Sequence, residues 1–291
     1  MQTTNHHLVF LFAVVSVLAV VCCMLPAGCR RPQQVASGEY SHGEFSTAFL
    51  EGRYQEALNL VEKELALAPR DSMKLLYHGS CLAMLRRFEE AVESFRMADV
   101  CSHSGFEDRT GLYLRATSLF NVKAYVRAQQ VLDSLSRSFP RSRLAEQGQE
   151  LALKIDKRLT EGITEANLNW YLDRGTKAYD SGRPALAAEY LEEYFLLAAK
   201  SGHENGGSPR ANLSLGGANL ELGDATAALT YLQKVPPDFS EWRAGILTAF
   251  ALKASGLHEA ALEMIRTVFK NADTELVQAR AERYVKEWTS E

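Results

Sequence analysis

Few places in this 291-residue sequence carry side chains whose types and spacing could do chemistry. Cys101-Ser102-His103 sets two metal-ligand types close together, but a zinc site takes three or four ligands and no complementary pair stands nearby. Glu89-Glu90 and Glu192-Glu193 are paired carboxylates, the residue types of general acid–base work. Both pairs fall in helical patterns and read as solvated helical charges. His78 follows Tyr77 on a helix and reads as packed or partly exposed. The chain has no glycine–lysine phosphate loop, no G-x-S-x-G and no H-E-x-x-H. The expectation is a protein without catalytic residues, metal, cofactor or small-molecule substrate.

The charge balance excludes one class of partner. With 32 basic and 36 acidic residues the net charge is -4, which gives no general affinity for nucleic acid. Residues 1–28 contain no charged side chain, and "LVFLFAVVSVLAVVCCML" (8–25) is an unbroken apolar run. It has three readings: a cleaved secretory signal, a lipoprotein signal, or a retained membrane anchor. The following "LPAGCRRP" (25–32) has small Ala27 and Gly28 directly before Cys29 and resembles the lipobox of bacterial lipoproteins. That resemblance implies cleavage before Cys29 and lipid attached to it. Arg30, which is not the aspartate that favours inner-membrane retention, then points to the outer membrane, facing the periplasm. Besides Cys29 the mature body keeps only Cys81 and Cys101, placed too far apart on successive helices for a bridge, so free thiols are expected.

The elements that position the rest come from a small-residue rhythm. Ala57, Ala91, Ala128, Ala187, Ala228 and Ala261 each begin a similar pattern, with intervals of 34 residues at the start and 33 at the end. Twelve places upstream of five of them lies a second small residue: Gly79, Ala116, Gly175, Gly216 and Ala249. Four places downstream comes an apolar one, Val61, Phe95, Leu132, Leu191, Leu232 or Ile265. Two helices joined by a tight turn approach closely only where both present small side chains, and the larger residue one turn on fills the remaining gap. Gly52, Gly182, Gly223 and Gly256 suit the turns, and Pro184 and Pro209 suit first helical positions.

This pattern resembles the tetratricopeptide repeat (TPR), a unit of two antiparallel helices in about 34 residues. The resemblance implies an all-α fold, a right-handed solenoid of about six such pairs. Ala128 and Ala187 stand 59 residues apart, leaving room for the unpaired helix "RLAEQGQELALKIDKRL" (143–159). A second solitary helix (274–288) ends the chain and would shield the last apolar face. The expected organisation is a signal or anchor at 1–28, a flexible tether at 29–41, an N-terminal lobe at 42–160 and a C-terminal lobe at 161–291. A single continuous superhelix is the competing arrangement. The Gly- and Ser-rich stretch 201–209 reads as a surface loop.

In the TPR family the first helix of each repeat lines a concave groove. Carried over by phase, the first three repeats contribute Phe49, Met84, Tyr113, Phe120 and Asn121, with His42, Ser46, Met73, Ser80 and Thr117 beside them. This lining is neutral, aromatic and Met-containing, suited to an amphipathic helix or an apolar peptide. The later repeats contribute Tyr179, Asp180, Arg210, Glu221, Arg243 and Lys253, a more charged wall. The plain alternative is that these aromatics are packing between repeats. The function expected is that of a membrane-tethered scaffold of the cell envelope binding a protein partner, in outer-membrane, pilus or secretion assembly. The alternative is a docking module for a signalling or cell-wall enzyme complex, held by a retained transmembrane helix.

Overall fold

The structure, a computed structural model, describes residues 42–102, 108–161, 165–202 and 208–290. The leader 1–28, the tether 29–41 with Cys29, and His103 lie outside the described residues, as do 162–164 and most of the 201–209 loop. The described residues form fourteen helices and no strand. Residues Gly43–Glu291 are one compact unit.

The helices alternate as the repeat requires. α1 (His42–Leu50), α3 (Ser72–Met84) and α5 (Arg109–Asn121) are first helices, each followed by its second helix, α2 (Tyr54–Leu67), α4 (Phe88–Cys101) and α6 (Tyr125–Ser138). The solitary α7 (Arg143–Thr160) comes next. Three more pairs follow: α8 (Glu165–Asp180) with α9 (Pro184–Lys200), α10 (Pro209–Leu222) with α11 (Ala225–Leu232), and α12 (Arg243–Ala254) with α13 (His258–Asn271). The helix α14 (Glu275–Thr289) closes the array against α13.

The six phased alanines are all fully buried. Their upstream partners explain why: a Cβ added to Gly79 would stand 2.9 Å from the Phe95 ring, and one on Gly216 2.6 Å from Leu232. At these crossings the helix backbone itself is the packing surface, and the large residue sixteen places on occupies the space. The turn inside each pair needs one left-handed residue. Glycine supplies it at 52, 182, 223 and 256, while Arg86 and Lys123 adopt the same conformation in the second and third repeats.

Apart from second helix α11, capped by Asp224, and first helix α12, uncapped at Trp242, the two kinds of helix start differently. First helices α3, α5 and α10 begin at Asp71, Asp108 and Ser208, whose side chains accept backbone N–H groups of the first turn. Second helices α2, α4, α6, α9 and α13 leave the tight turn directly, at Arg53, Arg87, Ala124, Arg183 and Leu257, with no side-chain cap. Their first N–H groups need partners from elsewhere.

First helices pack on the first helix of the next repeat, α3 on α5, α8 on α10 and α10 on α12. On the opposite side α9 packs against both α4 and α6, second helices of two earlier repeats. That contact explains the composition of α9. "PALAAEYLEEYFLLAAK" is buried around nearly its whole circumference, because α8 and α10 cover one side and α4 and α6 the other. One apolar core consequently runs from Val92 on α4 through Ile155 on α7 to Ala218 on α10.

This packing overturns one reading made from sequence. Glu193 is fully buried and Glu192 largely so, and Glu89 receives the Tyr190 hydroxyl at 3.2 Å and Arg183 at 3.0 Å. Glu192 and Glu193 are therefore not solvated surface charges, whereas Glu89 and Glu90 on α4, with side chains 37 % and 46 % exposed, remain solvated helical charges paired with arginines. A helix paired with one neighbour has a free face for charge, but α9 has none.

Candidate functional site

The first-helix face of repeats one to three carries the neutral set. Phe49 is half-buried, stacked on Phe45 at 5.7 Å and edge-on to Tyr54 at 5.4 Å. Phe45 in turn stacks on Tyr77 of α3 at 4.6 Å, so an aromatic strip crosses from α1 to α3. Met84, at the end of α3, is 37 % exposed. Tyr113 and Phe120 on α5 are half-buried against the main core, and Phe120 also meets Tyr125 at 5.6 Å. Asn121 is exposed and donates its amide to the Thr117 carbonyl one turn back. Phe49 and Phe120 stand eight places before their phased alanines, Ala57 and Ala128, and so lie at the same end of their helices. Met84 and Asn121 each lie one place further on, seven before Ala91 and Ala128.

At the other end of α3 and α5 lies a cavity of about 280 Å³. Its floor is Leu76, Phe95 and Leu112, with Met73 at the side and Asp99, Asp108 and Arg115 at the rim. Arg115 is tied to Asp99 at 2.9 Å. Cys81, further along α3, is buried, and burial pushes its thiol up to about 12, so it is an inert packing residue.

The later repeats place their set differently. Tyr179 on α8 is 5 % exposed and lies across α10 where Gly217 leaves room; a Cβ there would overlap its ring. Its far end reaches α12, where the Arg243 guanidinium sits 5.1 Å over the ring. Burial raises the Tyr179 pKa, partly opposed by Arg243. Arg243 also pairs loosely with Asp180 at 3.8 Å. Tyr179 therefore fastens three first helices together and offers little surface, while Arg210, Glu221 and Arg243 remain open to solvent. Lys253 lies over Trp288 of α14 at 4.8 Å.

The polar site that sequence reasoning missed lies where α9 meets α4 and α6. Arg96 grips Glu192 with two bonds of 2.9 and 2.6 Å and approaches Glu189 at 3.6 Å. Arg127 holds Glu189 at 3.2 Å and Glu192 at 3.3 Å. Glu193 accepts the Val126 and Arg127 N–H groups at 2.8 and 3.0 Å, the positions an N-cap side chain serves, and so caps α6 from another repeat. Burial works against the Glu189 charge, yet Arg127 and Arg96 hold its carboxyl at about 2. Burial likewise opposes the Arg96 charge, and Glu189 and Glu192 raise its pKa regardless. The sequence signal was available: charges spaced four apart inside a helix apolar on every face require buried partners.

Residues 44–103 and 172–241 match the sequence model of the tetratricopeptide repeat family. No curated protein matches the chain. Among solved structures it is similar to the TPR domain of P58(IPK), at 11 % identity and a TM-score of 0.35, over 85 % of this chain and 64 % of that one. It is also similar to a tetratricopeptide repeat protein from Parabacteroides merdae, at 14 % identity and a TM-score of 0.33, over 85 % and 82 % of the two chains. The chain thus spans just under two thirds of the P58(IPK) domain.

Proposed function

We infer the function from the premise that this is a tetratricopeptide-repeat protein, its repeats a scaffold for protein–protein interaction. The proposal is a membrane-tethered adaptor of the cell envelope, without catalytic activity, whose first three repeats hold an apolar helical or extended segment of a protein partner. The two sets of repeats, 42–160 and 161–291, would act as lobes of one scaffold. The observation that carries this reading is the neutral face of α1, α3 and α5, where Phe49, Met84 and Tyr113 keep part of their apolar surface in solvent. Aromatic and methionine side chains give broad, adaptable contact area.

The test separates binding from packing. With a photo-crosslinking residue in place of Asn121, the wild-type chain in membranes should capture one predominant partner. Tyr113→Ala with Phe120→Ala should weaken that capture by ~1–2 kcal/mol or more, with a smaller loss of stability than truncation of fully buried rings brings. Core aromatics would instead lose ~3–5 kcal/mol of stability on truncation. Unfolding without selective loss of capture would place both residues in the core.

The tether rests on Ala27-Gly28-Cys29. Cys29→Ser should abolish labelling by a fatty-acid probe and leave an uncleaved precursor. The apolar run 8–25 favours a second reading, a docking module on a retained transmembrane helix. No helix among the described residues is long and apolar enough to cross a membrane. A wild-type chain whose mature N-terminus is Met1 would establish the second reading and sink the first.

A further inference from the structure

The turn inside four of the repeats takes its left-handed residue as glycine, but in the second and third it is a cation, Arg86 at φ 62° and Lys123 at φ 69°. Both side chains are exposed, so glycine would satisfy the turn as well as they do. Each stands two places after a residue of the neutral face, Met84 or Asn121, at the same end of the adjoining helices α3 and α5. A third cation is joined to them through Trp170. The Lys123 ammonium lies 4.8 Å over that ring, and the Arg174 guanidinium of α8 lies 5.5 Å over it. Trp170 is held edge-on to Tyr171 at 4.9 Å and to Tyr190 at 5.7 Å. The Tyr171 hydroxyl donates to the Lys123 carbonyl at 2.8 Å, which fixes the turn and the ring together.

Among the described residues none of these three cations has a carboxylate within ion-pair distance. The carboxylates around them are already committed: Glu89 and Glu93 to Arg183, Glu90 to Arg87, and Asp173 to Lys177. Four carboxylates thus stand against six cations, and the excess is positive. An aromatic face attracts a cation without neutralising it, so the charge of Lys123 and Arg174 remains available to an anion.

We propose that Arg86, Lys123 and Arg174 form a positive edge beside the neutral face of repeats one to three, and that this edge recognises acidic side chains flanking the apolar segment of a protein partner. The proposal rests on the reading of that face as a binding surface and adds the partner's chemistry to it. The face itself takes no charge, since Phe49, Met84, Tyr113, Phe120 and Asn121 are neutral. Apolar contact there would hold any hydrophobic segment, and the edge selects among such segments by charge and speeds their encounter.

The probes are fluorescent peptides with amidated ends, sharing one row of leucines at helical spacing and carrying glutamate, glutamine or lysine at the other positions. They are titrated into the full chain held in phosphatidylcholine nanodiscs, with empty discs as the blank. The glutamate peptide should bind about 10-fold tighter than the glutamine peptide at low salt, and the lysine peptide weakest. That preference should largely vanish at roughly 0.5 M salt, because exposed charges are screened. Arg86→Gly with Lys123→Gly should remove most of the preference and leave glutamine-peptide binding unchanged. Its thermal midpoint should stay near the wild-type value, because glycine suits the left-handed turn. Arg86→Lys with Lys123→Arg should keep the preference.

The proposal is overturned if the glutamate peptide binds no tighter than the glutamine peptide, if neither binds above the blank, or if the glycine variant keeps the preference. It is also overturned if the preference is lost when phosphatidylglycerol replaces part of the lipid, which would assign the edge to anionic headgroups. A glutamate peptide that binds equally well with its leucines changed to serine would instead sink the apolar-face reading and leave the positive edge standing.

Discussion

Arg127→Ala is expected to destabilise the folded chain by ~3–5 kcal/mol, the cost of removing one partner from a buried ionic group. Glu189, 1 % exposed, would keep only Arg96 at 3.6 Å, and Glu192 would lose its contact at 3.3 Å. Glu189 cannot turn to water, because α9 is enclosed on both sides, whereas Glu192, 18 % exposed, keeps its two bonds to Arg96. The loss should therefore appear as a lower urea midpoint at pH 7, together with early exposure of the α9 surface to proteolysis. Replacing Arg127 and Glu189 together by Met and Leu should recover much of the stability, since an apolar pair leaves no charge unpaired. Lys177→Ala provides the contrast: its partner Asp173 is exposed one turn away, and the change should stay within ~0.5 kcal/mol. An Arg127→Ala midpoint equal to wild type would show that the cluster does not hold α9 in place.

The second large effect concerns the helix crossing in the second repeat. Phe95→Ala should cost ~3–5 kcal/mol, because the ring is almost wholly buried and fills the gap between α3 and α4. Gly79→Leu should cost ~1–3 kcal/mol by overpacking, since even its Cβ would press on the Phe95 ring at 2.9 Å and stand 3.2 Å from the Ala91 carbonyl. The two errors are complementary in volume. The double variant should be more stable than the sum of the single losses by ~1 kcal/mol or more, measured as a coupling in a urea double-mutant cycle. Strict additivity would mean that Gly79 and Phe95 do not share this space.

The repeated pairs were determined by the sequence alone. Small residues at two fixed phases, with one large residue after them, admit few arrangements besides a close antiparallel crossing, and every phased alanine is buried as that geometry demands. Glycines 52, 182, 223 and 256 mark turns because only a left-handed residue fits there, a local requirement readable from one position. Arg86 and Lys123 fill the same turns without that mark, since packing around them outweighs a modest local strain. Phase also put Phe49, Met84, Tyr113 and Phe120 on first helices of the repeats, where they are found. It could not give their exposure, which depends on what neighbouring helices cover. Tyr179 shares that phase, yet Gly217 on another helix lets it sink across α10 to Arg243. The α9 contact was decided by tertiary structure alone. Glu189, Glu192 and Glu193 meet Arg96 and Arg127 across 62 to 96 residues, and the helix end that Glu193 caps belongs to another repeat. Periodicity describes each helix against its own axis. Which distant helix supplies the opposite charge is settled only when the chain folds back on itself.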